Sequence, residues 1–374
     1  MRKFTTAALA LTIAATGIMT GTLAVAAQDG SDLKIGVVTD VGTIDDRNFN
    51  QYTWEGALAG AEAIGAPEPQ YAISAQSADI GPNIQAFVDQ GYDIIVTIGF
   101  AAGADTINAA LANPDIRFIG IDQAPCINED GTPDDTFTCA GDPAVLLPNV
   151  QGINWREQQP GYLAGIVAAS VSKTGHIAAV GGTAVIPAVV NYIEGYANGA
   201  KSINPDAVVT VTYVSGAPDA AAFNDPAGGQ AIAQQLLAQD PDIDVMFQVA
   251  GKTGNGVLQA ACDASIYGIG VDVDQFISTP ETAACTIVSA EKKLTKNVSD
   301  AIQRIAAGED QGGILRLGID TQDVGLSPFH DFESLITPET SDALAAAEAA
   351  LADGSLQACE AQEGSGFCVP TLGL

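Results

Sequence analysis

The chain has 374 residues, of which 47% are hydrophobic, and it carries 45 acidic side chains against 14 basic ones. Because domains commonly hold ~100–200 residues, this length favours roughly two domains with sizeable cores. The formal net charge of −31 argues against nucleic acid or an anionic membrane surface as a partner.

The first 27 residues read as a secretory signal peptide. Arg2 and Lys3 precede an apolar stretch that ends in the small residues 24–27, which is typical of a cleaved signal. A membrane anchor is the weaker alternative, because Thr and Gly interrupt the stretch. No cysteine lies near the cleavage point, so we expect a protein that is not a lipoprotein. No later segment is apolar enough to span a bilayer, so we also expect it to be soluble in the periplasm or at the cell exterior. We expect a monomer.

Short apolar runs alternate with helical patterns along the rest of the chain. Strands are predicted at 35–38, 70–74, 94–98, 118–121, 177–180, 208–214, 245–249, 266–271 and 286–288. Helices are predicted at 49–64, 80–90, 103–113, 159–172, 190–203, 226–239, 254–261, 293–307 and 342–352. This alternation predicts an α/β protein built from βαβ units with parallel sheets.

A polar segment at 125–149 interrupts the alternation, and a second series of strands and helices follows it. We therefore expect two doubly wound, Rossmann-like lobes joined by a hinge, with a ligand in the cleft between them.

Six cysteines agree with an oxidising compartment. Nearest-neighbour disulfides are favoured, although six cysteines allow many pairings. The favoured pairs are Cys126 with Cys139, Cys262 with Cys285, and Cys359 with Cys368. A metal site is the competing interpretation, but no pair has Cys-x-x-Cys spacing and neither His176 nor His330 lies beside a cysteine.

Carboxylates follow several predicted strands, at Asp40, Asp122, Asp272 and Asp274. Side chains at equivalent strand ends of two lobes converge on one cleft, and acceptor-only groups there suit the hydroxyls of a ribose or other polyol. The alternative is that each Asp caps the helix after it, which is the role we expect for Asp45 and Asp46.

Two aromatic residues in polar surroundings, Phe49 and Phe223, are candidates for sandwiching a flat heterocycle in that cleft, with ordinary packing as the alternative. Lys292 follows the last predicted strand and either donates to a hydroxyl or is a surface lysine.

Catalysis has little support in the sequence. The run Gly251-Lys252-Thr253 matches the last three positions of the phosphate-binding loop motif. The first position of that motif requires glycine, but Met246 occupies it here. The chain has two histidines, no nucleophile elbow and no metal-ligand spacing. We therefore predict a binding protein that is not an enzyme and uses no cofactor or metal.

Several motifs taken together resemble one family. The segment 39–51 reads Thr-Asp-Val-Gly-Thr-Ile-Asp-Asp-Arg-Asn-Phe-Asn-Gln, and later motifs follow in the matching order. They are Gly99-Phe100, Ile121-Asp122, Arg156-Glu157-Gln158, Leu163-Ala164-Gly165, Gly195-Tyr196, Phe223-Asn224-Asp225-Pro226, Gly251 and Gly270-Val271-Asp272. Over about 33 to about 323, the chain resembles the basic membrane protein family, the PnrA-like substrate-binding receptors of ABC transporters.

This resemblance implies a type I periplasmic-binding-protein fold and an extracytoplasmic receptor that binds a purine nucleoside for uptake by a membrane permease and ATPase. A receptor for a sugar or other polyol, or a sensor that feeds a membrane signalling protein, remains open. The resemblance implies these ligand-binding residues: Asp40, Phe49, Asn50, Gly99, Phe100, Asp122, Phe223, Gly251, Asp272 and Lys292. Within this set, Phe49 and Phe223 are expected to stack on the base, with Asp40 and Asn50 near its edge. Asp122, Gly251, Asp272 and Lys292 are expected to hold the ribose.

The expected first lobe comprises 33–152 with 290–312, and the second 153–289 with 313–374. Lys252, in place of a frequent glycine, and the acidic Glu291 before Lys292 depart from the family pattern, as do Trp155 and the missing lipidation cysteine. The segment 125–149 and the C-terminal tail with its cysteine pair are expected additions to that pattern.

Overall fold

The computed structural model describes residues 30–134, 138–217, 219–362 and 367–373, so the expected signal peptide at 1–27 lies outside the described residues. The strands are β1 (Ile35–Val41), β2 (Gln70–Ser74), β3 (Ile94–Ile98), β4 (Arg117–Ile121), β5 (Val150–Trp155), β6 (His176–Thr183), β7 (Val208–Ser215), β8 (Ile243–Val249), β9 (Tyr267–Asp272), β10 (Thr286–Lys292), β11 (Gly313–Leu317) and β12 (Val324–Leu326). The helices are α1 (Phe49–Ile64), α2 (Ile80–Asp89), α3 (Gly103–Ala112), α4 (Pro143–Leu146), α5 (Gln158–Val171), α6 (Pro187–Ile203), α7 (Pro226–Gln239), α8 (Gly251–Asp263), α9 (Gln275–Ser278), α10 (Leu294–Ala306) and α11 (Pro338–Ala352).

The strands form two six-stranded sheets, ordered β11-β5-β4-β3-β1-β2 and β12-β10-β9-β8-β6-β7. Neighbouring strands run parallel except β10 and β12, which are antiparallel. We call the first sheet with α1 to α4 and α10 the first lobe, and the second sheet with α5 to α9 and α11 the second lobe. The predicted pair of doubly wound α/β lobes is confirmed.

Each sheet is covered by helices on both faces, because successive side chains of its strands point to opposite sides. In the first lobe, Val37 packs in the cluster shared with α1 and α10, whereas Val38 packs in the cluster shared with α2 and α3. In the second lobe, Phe247 and Met246 divide in the same way between two buried clusters. The strands are therefore apolar on both faces, which explains their continuous hydrophobic runs.

The lobe boundaries differ from those expected. Residues 153–155 and 313–317, expected in the second lobe, belong to the first sheet, where Trp155 pairs with Leu317. Residues 290–292, expected in the first lobe, belong to the second sheet, where Ala290 pairs with Leu326. The expected boundaries were wrong because β5, β11 and β12 are short strands at or near sheet edges, and the predicted strand at 286–288 continues to Lys292.

Two helices of the second lobe pack at backbone distance. A Cβ atom on Gly165 of α5 would lie 2.0 Å from the carbonyl oxygen of Tyr196, and one on Gly199 of α6 would lie 1.9 Å from that of Tyr162. Only glycine fits at such a contact. Gly165, from one of the family-like motifs, and Gly199 therefore hold the second lobe together rather than contact a ligand.

The three favoured disulfides are confirmed as Cys126–Cys139, Cys262–Cys285 and Cys359–Cys368. The first closes a loop within the polar segment at 125–149. The third closes the C-terminal tail, which packs on α6: Cys368 donates its backbone N–H to Asn191, and Thr371 donates its hydroxyl to Glu194 over 2.7 Å. Within the described residues, every helix is too short or too polar to cross a membrane.

Candidate functional site

The carboxyl ends of the two sheets face each other across a cavity between the lobes. The ten predicted ligand-binding residues all line this one cavity: Asp40, Phe49, Asn50, Gly99, Phe100, Asp122, Phe223, Gly251, Asp272 and Lys292. Strand ends of parallel sheets are the usual place for ligands in α/β folds. The structure therefore brings together residues that lie more than 200 positions apart, and their part in binding a ligand stays a prediction.

An ion-paired lysine lies at the centre of the cavity. Lys292 ends β10, and its Nζ lies 2.8 Å from Oδ2 of Asp122, at the end of β4, and 3.2 Å from Oδ1 of Asp272, at the end of β9. Its side chain is only 2% exposed, so the surface-lysine alternative is wrong. Burial alone would lower the pKa of Lys292, but the carboxylates of Asp122, Asp272 and Glu157 outweigh it and raise that pKa.

Aromatic rings surround the same ammonium group. Nζ of Lys292 lies 4.9 Å from the ring centroid of Phe49, 5.2 Å from that of Trp155 and 5.8 Å from that of Tyr192. Each ring face is attractive to a cation at this range. Trp155, the departure from the family pattern, also donates its indole N–H to Asn297 over 2.9 Å. The lysine is therefore held in one position by charge and by packing.

Both carboxylates that pair with Lys292 lie on backbone in the left-handed region. Asp122 has φ 55° and Asp272 has φ 66°, a conformation that non-glycine residues seldom adopt. Aspartate tolerates it better than most residues. The two positions are equivalent in the two lobes, and each turns its side chain back from the strand end toward the cleft.

Asp40 lies at the other side of the cavity, against a glycine. A Cβ atom on Gly99 would lie 2.2 Å from Oδ2 of Asp40, and Gly99 has φ +89°. Burial raises the pKa of Asp40 to about 7, against the lowering effect of the hydrogen bond that its carboxylate accepts from the N–H of Val41. Asp40 is therefore a partly buried acceptor with few partners of its own.

Asn50 and Asp46 hold Asp40 in place. Oδ1 of Asn50 accepts the backbone N–H of Asp40 over 3.0 Å, and its Nδ2 donates to Asp46 over 3.0 Å. Asp46 also accepts the backbone N–H groups of Asn50 and Gln51 at the start of α1, so its expected capping role is seen in the structure. Asp45 does not reach the helix; its carboxylate accepts the hydroxyl of Thr43.

The two candidate stacking rings come from different lobes. Phe49 packs at the edge of the first lobe's core and Phe223 at the edge of the second lobe's core, and both line the cavity. Phe223 lies against the backbone at Gly182, where a Cβ atom would lie 2.2 Å from the ring. A flat group in the cavity would therefore meet one ring from each lobe.

The structure also draws attention to two residues that the sequence analysis gave no role, and it excludes one candidate from the site. Tyr192 lines the cavity and donates its hydroxyl to the carbonyl of Ala290 over 3.2 Å; its position within an apolar helix gave no sequence signal. Glu157 was part of a recognised motif without a role, and burial raises its pKa to about 7. Asp274 does not join the site, because its carboxylate lies 2.7 Å from Nε2 of His330.

The lobes touch each other at the rim of the cavity. Arg47 of the first lobe forms a salt bridge of 2.6 Å with Glu281 of the second. Asn255 donates its Nδ2 to the carbonyl of Asp46 over 3.4 Å, again from one lobe to the other. The cavity between them has a volume of about 70 Å³. This arrangement is a closed cleft.

One group of potential metal ligands occurs in the described part of the chain. His176, Asp240 and Asp242 lie close together, with Nδ1 of His176 2.8 Å from Oδ2 of Asp240. These residues lie at the amino ends of β6 and β8, at the edge of the sheet opposite the cleft. They therefore take no part in the candidate site.

Similarity to known proteins agrees with this geometry. The family model of ABC transporter substrate-binding proteins of the PnrA-like type matches residues 33–350. The chain is 30% identical to a CD4+ T-cell-stimulating antigen of Listeria innocua, over 88% of this chain and 92% of that protein. It is 27% identical to the ABC transporter nucleoside-binding protein BmpA of Lactococcus lactis, over 95% of this chain and 99% of that protein.

A solved structure shares the fold. The solute-binding protein of an ABC transporter system from Aeropyrum pernix superposes with a TM-score of 0.72 at 24% identity, covering 87% of this chain and 92% of that one. The fold is therefore the type I periplasmic-binding-protein fold that the sequence predicted. The chain belongs to the PnrA-like family of extracytoplasmic ABC transporter substrate-binding proteins.

Proposed function

We propose that the protein is the receptor of an ABC importer for purine nucleosides. The observation that carries this proposal is the pair of rings, Phe49 and Phe223, which reach one cavity from opposite lobes beside strand-end acceptors. A flat base stacks well on aromatic faces, and a carboxylate accepts the hydrogens of ribose hydroxyls. The name of the Lactococcus lactis relative, a nucleoside-binding protein, supports the same class of ligand.

The base lies between Phe49 and Phe223 in this proposal, with its polar edge toward Asp40. Asn50 contributes by fixing the backbone of Asp40, since its amide already binds Asp40 and Asp46. The ribose lies toward Asp122 and Asp272, and Lys292 either donates to a hydroxyl or holds both carboxylates ionised. Gly251, with φ +54° at the start of α8, gives the sugar access to backbone.

Uptake requires the cleft to open and close. Ligand pockets of small molecules usually measure ~300–1,000 Å³, and the inter-lobe cavity of about 70 Å³ is much smaller. The lobes must therefore separate to admit a nucleoside, and they close around it less tightly than they lie in this structure. The closed form is then the one that the permease and ATPase partners recognise, so hinge closure is the mechanism and no bond of the ligand is broken.

The receptor is free of the membrane in this proposal. All six cysteines of the sequence are disulfide-bonded, so none of them is available to carry a lipid. We infer export by the signal at 1–27 and release as a monomer after its cleavage. Mass spectrometry of the secreted protein tests this: a mature chain that begins near residue 27 or 28 with no lipid mass supports it, and an attached acyl chain contradicts it.

Isothermal titration with inosine, guanosine, adenosine, uridine and ribose tests the ligand class. We expect binding of at least one purine nucleoside that is tighter than binding of uridine or ribose. Phe49→Ala should weaken this binding ~10-fold or more, because stacking on an aromatic ring contributes ~1–3 kcal/mol per base. Phe276→Ala is the matched control, since that ring stacks on His330, at 4.2 Å, and does not line the cavity.

Two outcomes would contradict the proposal. Absence of heat with every purine nucleoside would exclude this ligand class, and ribose binding without nucleoside binding would assign the protein to sugars or other polyols.

A further inference from the structure

A second and larger cavity lies next to the inter-lobe cavity. It measures about 460 Å³, within the ~300–1,000 Å³ range of small-molecule pockets. Phe100, Asp122, Ile186 and Ala188 line both cavities. Because these side chains face both spaces, no more than one layer of side chains separates the two cavities.

Two segments that were expected as additions to the family pattern form part of its wall. The disulfide-closed loop of the first lobe contributes Cys126 and Asp134, and the C-terminal tail of the second lobe contributes Gln362 and Phe367. The tail is fixed to its own lobe by the contacts of Thr371 and Cys368 with α6 described above. The second cavity therefore also lies between the lobes.

Two buried acceptors without partners line its wall. Oδ1 of Asn154 and Oδ1 of Asp122 are buried and have no hydrogen-bond partner among the described residues. Asn154 is 6% exposed and Glu157 is 1% exposed. Glu157 accepts a hydrogen bond from Asn191 over 2.9 Å through Oε2. Buried acceptors without a donor destabilise a fold, so they indicate a ligand that brings donors.

The charges in the wall select against an anion. Asp122, Asp134 and Glu157 line the cavity, and the lining contains no lysine or arginine among the described residues. Lys292 is already paired with Asp122 and Asp272. A phosphate in this space would therefore meet carboxylates without a free cation, which is unfavourable at close range.

We propose that the two cavities are compartments of one binding site, and that the receptor takes a purine nucleoside whose ribose carries a neutral or cationic substituent rich in hydrogen-bond donors. This inference rests on the proposed function, which directs the ribose toward Asp122, the residue shared by both cavities. The base and ribose occupy the first compartment, and the substituent reaches Asn154 and Glu157 in the second.

Titration of four related probes tests the proposal. They are adenosine, its 5′-deoxy-5′-(2-aminoethylamino) derivative, its 5′-deoxy-5′-butylthio derivative, and adenosine 5′-monophosphate; if another purine nucleoside binds better, its own derivatives replace them. The amino derivative should bind ~10-fold tighter than the butylthio derivative, which has similar length without donors, because hydrogen bonds between charged groups are the strong ones. The monophosphate should bind ~10-fold more weakly than adenosine, because a phosphate is repelled by nearby carboxylates.

A pair of variants on one helix tests whether the tighter binding of the amino derivative depends on the second cavity. Ala104 and Ala112 are both exposed residues of α3, but only Ala104 lines the second cavity. Ala104→Trp should reduce the affinity ratio of amino derivative to parent nucleoside ~10-fold by filling that cavity. Ala112→Trp should keep the ratio.

The outcomes separate this inference from the function on which it rests. Binding of the parent nucleoside, with the amino derivative no tighter than the butylthio derivative, would overturn the inference and leave the proposed function standing. An unchanged ratio in Ala104→Trp would also overturn it. Failure of the parent nucleoside and of all derivatives to bind would overturn the proposed function and the inference with it.

Discussion

Lys292 of the second lobe and Asp122 of the first lobe form an ion pair of 2.8 Å at the centre of the cleft. Both side chains are nearly inaccessible to solvent, at 2% and 11% exposure. Pairs of this kind offset the cost of removing two charges from water only while both partners remain. The cleft therefore contains an electrostatic contact that links the closed arrangement of the lobes to the stability of the protein.

Lys292→Met should lower the free energy of unfolding by ~3–5 kcal/mol, because it leaves the carboxylates of Asp122 and Asp272 buried without their cation. Urea denaturation measures this change. Lys293→Met is the matched control. The side chain of Lys293 is 44% exposed, so its loss should change the free energy of unfolding by less than ~1 kcal/mol. Adding Asp122→Asn to Lys292→Met should restore part of the loss, and an absence of any recovery would show that the charge pair does not explain it.

Gly99→Ala should disturb the site more than an equivalent change elsewhere. Gly99 and Gly91 both have positive φ, but a Cβ atom at Gly99 meets Asp40 at 2.2 Å whereas one at Gly91 has no neighbour within 4 Å. Both substitutions should cost ~1 kcal/mol of backbone strain. Only Gly99→Ala should also reduce nucleoside affinity, because Asp40 must move. Equal effects of the two variants on stability and affinity would contradict the proposed contact.

Stability should depend on pH through Asp40. Burial raises the folded-state pKa of Asp40 to about 7 from 3.8, so the folded protein binds this proton more tightly than the unfolded chain does. The resulting stabilisation is complete below pH 3.8, decreases as the pH rises toward 7, and is absent at higher pH.

Asp40→Asn should therefore reduce the fall in unfolding free energy between pH 4.5 and about 7, measured by urea denaturation at several pH values. Part of the fall should remain, because burial raises the pKa of Glu157 to about 7 as well. Identical pH profiles for the variant and the wild type would show that Asp40 does not keep its proton in the folded state.

Removing the disulfide between Cys262 and Cys285 should separate stability from binding. The bridge closes a loop of 23 residues, and its loss should cost ~3 kcal/mol of unfolding free energy. It joins the end of α8 to the start of β10, at the edge of the sheet away from the cleft. The double variant Cys262→Ala with Cys285→Ala should therefore keep its nucleoside affinity at 25 °C, and a large loss of affinity would contradict this placement.

Local patterns predicted the long buried strands and the helices between them. Their apolar runs and helical periodicity can each be recognised within a short stretch of sequence. The strands β5, β11 and β12 were missed. For β11 the reason is that it depends on a neighbour distant in sequence, because it pairs with β5 across about 160 residues. Lys292 illustrates the same limit, because a lysine beside Glu291 reads as a surface residue until two strand ends place carboxylates around it.

The strand-end acids and the two phenylalanines were predictable because parallel strands deliver their carboxyl ends to one edge, and the family resemblance supplied the remaining site positions. Asn154 and Glu157 carried no such signal. Their importance depends on a cavity formed by a disulfide-closed loop and a C-terminal tail that meet only in the folded protein. Sequence patterns describe neighbours along the chain, whereas cavities depend on neighbours in space.

The chain crosses between the lobes after Trp155, after Lys292 and after Leu317, and these three crossings lie side by side. The N–H of Arg156 bonds to the carbonyl of Leu317 over 2.8 Å, and that of Lys293 bonds to the carbonyl of Asp323 over 2.9 Å. These three adjacent crossings form the hinge between the lobes. Because Lys292 ends β10 directly before one of these crossings, its backbone lies at the hinge, and opening of the cleft displaces it less than it displaces residues at the far rim.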